Sequence, residues 1–168
     1  MALAAAGAVL VLLVRAPERR TGRDAVRGHH AFGVARHAVR EIEVTLGERR
    51  FLARRAATGW EIDGKPASAG TAEALEDLAA SLAGLRAVDV FRPRDASSFG
   101  FDRPHATIRV VTPTRARRVV IGAPNAAGTA FYARRDGDPR VMQVGSGLLS
   151  GLERVFFNRA GPRPAPPA

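Results

Sequence analysis

At 168 residues the chain has room for one compact domain or two very small ones, and a hydrophobic fraction of 46% excludes a disordered chain. Cysteine is absent, which excludes disulfides, thiolate metal sites and a cysteine nucleophile, and leaves the redox compartment open. The formal charge of +10 comes almost wholly from arginine, Lys65 being the only lysine.

That charge is dispersed along the chain. Residues 1–58 carry 11 arginines against 5 acids, residues 59–99 carry 4 basic and 7 acidic groups, and residues 100–168 carry 11 arginines against 4 acids. The arginines recur in pairs (Arg49-Arg50, Arg54-Arg55, Arg117-Arg118, Arg134-Arg135) inside segments that read as strands, where alternate side chains face water. Scattered charge of this kind contacts phosphates without positioning base readers, so no specific nucleic acid is expected as a partner.

In chain order, residues 1–16 form an apolar N-terminal segment. Residues 2–14 are an unbroken run of 13 apolar or small residues, short against the ~20 of a full membrane span. It has the length of a signal-peptide core, but no basic residue precedes it, and a charge at Arg15 with Pro17 after it makes a poor cleavage site. Three readings stand: an uncleaved anchor, a cleaved signal, or a buried helix, with the anchor as the expectation. Residues 17–33 read as a basic linker, residues 34–159 as the folded domain, and the proline-rich residues 160–168 as an extended tail. Arg15, Arg19, Arg20, Arg23 and Arg27 follow the apolar run, and the positive-inside rule would keep them cytoplasmic.

Within the domain, apolar and polar residues alternate over 40–44, 50–54, 59–62, 106–110, 118–121, 130–133 and 141–144, the mark of half-buried strands. A helix is expected after Gly70 and Thr71. Glu73, Glu76 and Asp77 favour its N-terminal dipole, and Leu75, Leu78, Ala79, Leu82 and Leu85 share one face. Asp136-Gly137 reads as a hairpin turn, and the glycine-rich stretch from Gly145 to Gly151 as a strand-to-helix turn. Leu85 to Val88 and Leu152 to Val155 look like matching helix ends. The fold class expected is α+β, with two related strand-strand-strand-helix units forming an antiparallel sheet packed by helices.

Ser98-Phe99-Gly100-Phe101-Asp102-Arg103-Pro104-His105, Val120-Ile121-Gly122 and the stretch from Phe131 to Pro139 resemble the domain-of-unknown-function 4340 family, with Gly59-Trp60 and the 75–88 helix in the same order. The resemblance spans roughly 34–157. It implies a tether through one N-terminal helix, an extracytoplasmic domain, and, for some members, an accessory role in ABC-type transport systems linked to gliding motility. It implies no catalytic residues.

Gly145-Ser146-Gly147 lacks the βαβ unit and distal acid of a dinucleotide site. His29, His30 and His37 have no ligand spacing and read as solvated, and His105 reads as a surface residue at a strand start. Asp136 and Asp138 lack the distal glutamate of a calcium loop. Glu41 and Glu43 share a strand face that reads as solvated, and Trp60 and Tyr132 read as core or interface aromatics at related strand positions. No catalytic, cofactor-binding or metal-binding residue is therefore assigned, no cofactor is expected, and neither the interaction residues nor any small-molecule ligand is identified. The expectation is a non-catalytic, membrane-tethered interaction domain, an accessory part of a membrane complex on the periplasmic side. The rival readings are an arginine-driven nucleic-acid-binding module and an enzyme with a dispersed site.

Overall fold

The structure, a computed structural model, describes residues 29–156. The segments at 1–28 and 157–168, including the expected anchor and tail, lie outside the described residues. Among those described, the strands are β1 (Glu41–Leu46), β2 (Arg49–Ala56), β3 (Gly59–Ile62), β4 (Lys65–Pro66), β5 (Asp89–Phe91), β6 (Ala106–Val111), β7 (Ala116–Pro124), β8 (Ala130–Arg135) and β9 (Val141–Gly145). The helices are α1 (Ala69–Gly84), between β4 and β5, and α2 (Gly147–Phe156), after β9. The strands form one sheet in the order β4-β3-β2-β1-β6-β7-β8-β9-β5, and every neighbouring pair is antiparallel. The architecture is α+β, mostly antiparallel sheet with two helices.

The sheet is built outward from β1 and β6. Alternation turns Ile42 and Val44 of β1 to one face, and the register sets them opposite Val110 and Ile108 of β6. All four are fully buried. Burying a side chain of this type stabilises the fold by roughly 1.5–3 kcal/mol. Both helices lie on this face. α1 supplies Leu75, Leu78, Ala79 and Leu82, and α2 supplies Leu148, Leu149, Leu152, Val155 and Phe156. The Phe156 ring stacks on Phe51 of β2 with centroids 5.1 Å apart.

A polar clamp fixes α1 to the sheet. Arg55 of β2 points to the helix face, and its Nη2 donates to Glu76 Oε2 at 2.9 Å. Trp60 of β3 donates its indole N–H to Glu76 Oε1 at 2.9 Å, and the Arg55 guanidinium lies 4.6 Å from the Trp60 ring centroid. The Arg55 hydrogen bond is the main cause that holds the Glu76 carboxyl below the usual range, assisted by Trp60 and opposed by desolvation. Trp60 is only 4% exposed.

Three expectations need correction. First, α1 starts at Ala69 because the Ser68 hydroxyl accepts the Thr71 N–H at 3.4 Å, so the acids from Glu73 onward lie beyond its first turn. Second, α1 ends at Gly84, and Leu85, Arg86, Ala87 and Val88 do not match the helical Leu152–Val155 stretch. The Leu85 carbonyl accepts from Ala31 N–H at 2.8 Å, Ala87 N–H donates to the His29 carbonyl at 2.9 Å, and Val88 is 63% exposed. Third, the packed chain reaches back past residue 34. Ala31 and Phe32 are fully buried, and His29 and His30 are half-buried rather than solvated. The two edge strands β4 and β5 are too short to leave a periodic signal.

Trp60 is the only tryptophan, so its emission reports this one site. Trp60→Ala should lower stability by about 3–5 kcal/mol in denaturant titration. The unsubstituted chain should emit at a blue-shifted maximum that moves red on unfolding; a water-exposed maximum in the folded state contradicts this packing.

Candidate functional site

The residues that alternate with the core form the other face of the sheet, which neither helix of the described residues covers. Its centre is an ionic lattice. Glu41 and Glu43 project from β1, flanked by Arg50 and Arg54 on β2 and by Arg109 on β6. Arg50 pairs with Glu43 at 2.9 Å, Arg54 with Glu41 at 3.1 Å, and Arg109 with both, at 3.2 Å to Glu41 and 3.7 Å to Glu43. Farther along, Arg118 of β7 pairs with Asp136 at 3.7 Å. The expected solvated carboxylate face is thus corrected: the side chains of Glu41 and Glu43 are 18% and 15% exposed, and they are cross-linked to arginines. Isolated exposed pairs contribute little, but a network that ties three strands together holds its side chains in one arrangement. Opposite charges facing each other across strands also favour this register.

Beside the lattice lies an aromatic corner. The connection from β5 to β6 folds back over β7 and carries a 3-10 turn at Ser97–Phe99. Phe99 meets Tyr132 of β8 edge-on at 4.7 Å, Phe91 at 5.6 Å and Phe101 at 6.2 Å. Arg134 lies 4.7 Å over the Phe101 ring. Two glycines permit this approach. A Cβ on Gly122 of β7 would collide with the Phe99 carbonyl oxygen, and Gly100, at φ +75°, runs against the Ala123 backbone. Phe99, Phe101, Gly122, Tyr132 and Arg134, from three stretches that are separate in sequence, therefore meet in one place. Tyr132 faces this corner and Trp60 the helices, so the two aromatics lie on opposite faces and not at equivalent positions.

The candidate chemistries fall as follows. Ser146 stands between β9 and α2, and its N–H donates to the Thr129 carbonyl at 3.2 Å. His105 is exposed with its ring 5.2 Å from Phe131, and His37 is exposed in the Arg36–Ala38 turn. Asp136 and Asp138 occupy the β8–β9 turn, where Gly137 has φ +74°. Asp138 accepts from Arg140 Nε at 3.0 Å and Nη2 at 2.9 Å, and these bonds hold its carboxyl down at about 2. Among the described residues no group of three or more His, Asp and Glu is arranged to hold a metal. A depression of about 290 Å³ is lined by Arg109, Ala116, Arg117, Arg118, Arg135 and Asp136. Ligand pockets are mostly apolar with a few placed polar groups; this one is the reverse.

The sequence reading missed the aromatic corner and the lattice as units. The signal for the corner was present in Gly100 and Gly122, glycines in otherwise apolar stretches, a pattern that marks close backbone approach. Gly122→Ala should lower stability by about 1–3 kcal/mol, the range for overpacking, and displace the 97–101 turn. Loss of near-ultraviolet circular dichroism from Tyr132 and the phenylalanines should accompany it, with far-ultraviolet signal retained. An unchanged aromatic spectrum contradicts the packing described.

No curated protein and no solved structure matches this chain. The model of one family, described as "Domain of unknown function (DUF4340)", matches residues 60–159, more than half of the chain. That span runs from Trp60 in β3 through α2, including the glycines and aromatic residues of the corner. The chain belongs to the DUF4340 family.

Proposed function

We propose that this chain is a non-catalytic interaction domain, tethered through residues 2–14 on the extracytoplasmic side, that presents the outer face of its sheet to a membrane protein complex. The observation that carries the reading is the unequal covering of the sheet. Both helices close one face, while the other offers a polar surface fixed by ion pairs beside an aromatic corner. A surface already held in one arrangement loses little side-chain entropy on binding. Aromatic and arginine side chains are the types that anchor such contacts. The family's link to transport accessories supports the complex as partner, and the apolar run supports the tether. Among the described residues no helix is long and apolar enough to cross a membrane, so the tether rests on residues 2–14 alone.

On the same footing we infer two related strand–helix units, β1 to β3 with α1 and β6 to β8, with β9 added, leading to α2. Two features support it: the β1–β6 register pairs Ile42 with Val110 and Val44 with Ile108, and each run of adjacent strands leads on to a helix over the same face.

The test is photo-crosslinking in native membranes from Thr107 on the outer face and from Glu73 on the exposed side of α1. Reporter fusions after Ala168 fix the side of the membrane. The reading predicts a discrete adduct with a membrane protein from Thr107 and none from Glu73, with the extracytoplasmic reporter active. Equal labelling at both positions contradicts the interaction face, and activity of only the cytoplasmic reporter contradicts the location.

A further inference from the structure

The described chain begins at His29, inside a clasp. The Ala31 N–H and the His29 carbonyl bond the backbone of Leu85 and Ala87, Arg135 Nη2 donates to the His30 carbonyl at 3.2 Å, and Arg115 Nη2 donates to the Gly33 carbonyl. Arg140 Nη1 faces His29 Nε2 at 3.1 Å. The arginine contacts lie at one end of the sheet, where β7 begins, β8 ends and β9 begins, and an antiparallel bridge from His30 joins Arg86 to the same segment.

That end is strongly basic. It carries Arg36, Arg40, Arg86, Arg115, Arg135 and Arg140, of which Arg36, Arg40, Arg86 and Arg115 are exposed. Among the described residues only Arg140 of these six has an ion pair, with Asp138. The other acid of the β8–β9 turn, Asp136, is held by Arg118. Arginines bound to carbonyl oxygens keep their full positive charge. On the outer face, by contrast, Arg50, Arg54 and Arg109 each have a carboxylate partner in Glu41 or Glu43. Positive charge without a carboxylate in ion-pair contact therefore gathers where the described residues begin. The sequence just before it, residues 15–28, adds five arginines against Glu18 and Asp24.

We propose that this basic end of the sheet, with Arg36, Arg40, Arg86, Arg115 and Arg135, rests on anionic phospholipid headgroups, so that the domain stands on the membrane its own N-terminus enters. The proposal rests on the tethered reading above and adds an orientation to it. A tether holds the clasped end within reach of the bilayer, where the attraction of an anionic surface is felt only within a Debye length of roughly 8 Å. Each arginine near that surface strengthens association by about fivefold. The outer face then stands across the membrane normal, free for a protein partner.

The test uses the full chain, which has no cysteine of its own. Fluorophores are placed by Ala35→Cys, beside Arg36, and by Ala127→Cys, in the β7–β8 turn at the other end of strands roughly 20 Å long. Quenching by headgroup nitroxides is read on phosphatidylglycerol/phosphatidylcholine vesicles and on phosphatidylcholine alone. We expect strong quenching at position 35 and little at 127 on the anionic vesicles. The difference should vanish on neutral vesicles and in the Arg36→Gln/Arg40→Gln/Arg86→Gln variant, while the chain stays vesicle-bound. Equal quenching at the two positions, or quenching at 35 that ignores lipid charge, overturns the orientation and leaves the tether intact. A chain that sediments with neither vesicle overturns both. Protection of position 35 by duplex DNA at physiological salt, without response to vesicles, assigns the basic end to nucleic acid and overturns the proposal.

Discussion

Everything in this fold depends on the pairing of β1 with β6. Without it, the strands β4 to β1 and the strands β6 to β5 would be two narrow ribbons, each with an apolar face too small to shield. With it, Ile42, Val44, Ile108 and Val110 form one fully buried row, and both helices can share one surface. The same pairing sets the opposite face. The register that buries those four residues also places Arg109 against Glu43, and so creates the ionic lattice. A slip of one residue would put the carboxylates in the core and the valines in water, so the two faces enforce each other.

The arginine pairs show how one composition serves two environments. In Arg54-Arg55, the first side chain joins the outer lattice and the second clamps Glu76 beneath α1. In Arg134-Arg135, the first stacks on Phe101 and the second holds the His30 carbonyl. A high arginine content is thus consistent with a structural role, because guanidinium groups can serve carboxylates, carbonyls and aromatic rings alike. What distinguishes the end where the described residues begin is that Arg40, Arg115 and Arg135 bind neutral carbonyls, while Arg140 is the one paired there with a carboxylate. Net charge alone could not locate that end; the pairing pattern does.

Much of this was legible in the sequence. Period-two alternation marks β1, β2, β3, β6, β7, β8 and β9, and the leucine stripe marks α1, because these signals are local. The Asp136-Gly137 turn is legible for the same reason. The helix ends were less so. The stretch after Gly84 has helical composition, yet it is drawn out of the helix by hydrogen bonds to residues 29–31, a long-range competition that no local pattern encodes. For the same reason the packed chain begins before residue 34, since Ala31 and Phe32 sit in a polar, glycine-containing context and owe their burial to tertiary contacts. The candidate site was the least legible. Glu41 and Glu43 read correctly as one face, but their partners lie on two other strands. The aromatic corner joins residues from β5, β8 and the connection to β6, and only glycines hinted at it.

The central claim is that the two sets of strands form one cooperative sheet through β1 and β6, and native-state hydrogen exchange tests it most directly. Amides of Ile42, Val44, Ile108 and Val110 should be among the slowest to exchange, opening only with global unfolding, and strands on both sides should share one denaturant dependence. If the β1–β6 amides exchange through a smaller local opening, while the strands on either side remain separately protected, the sheet is two units in contact. The account of a single surface with two opposed faces would then be wrong.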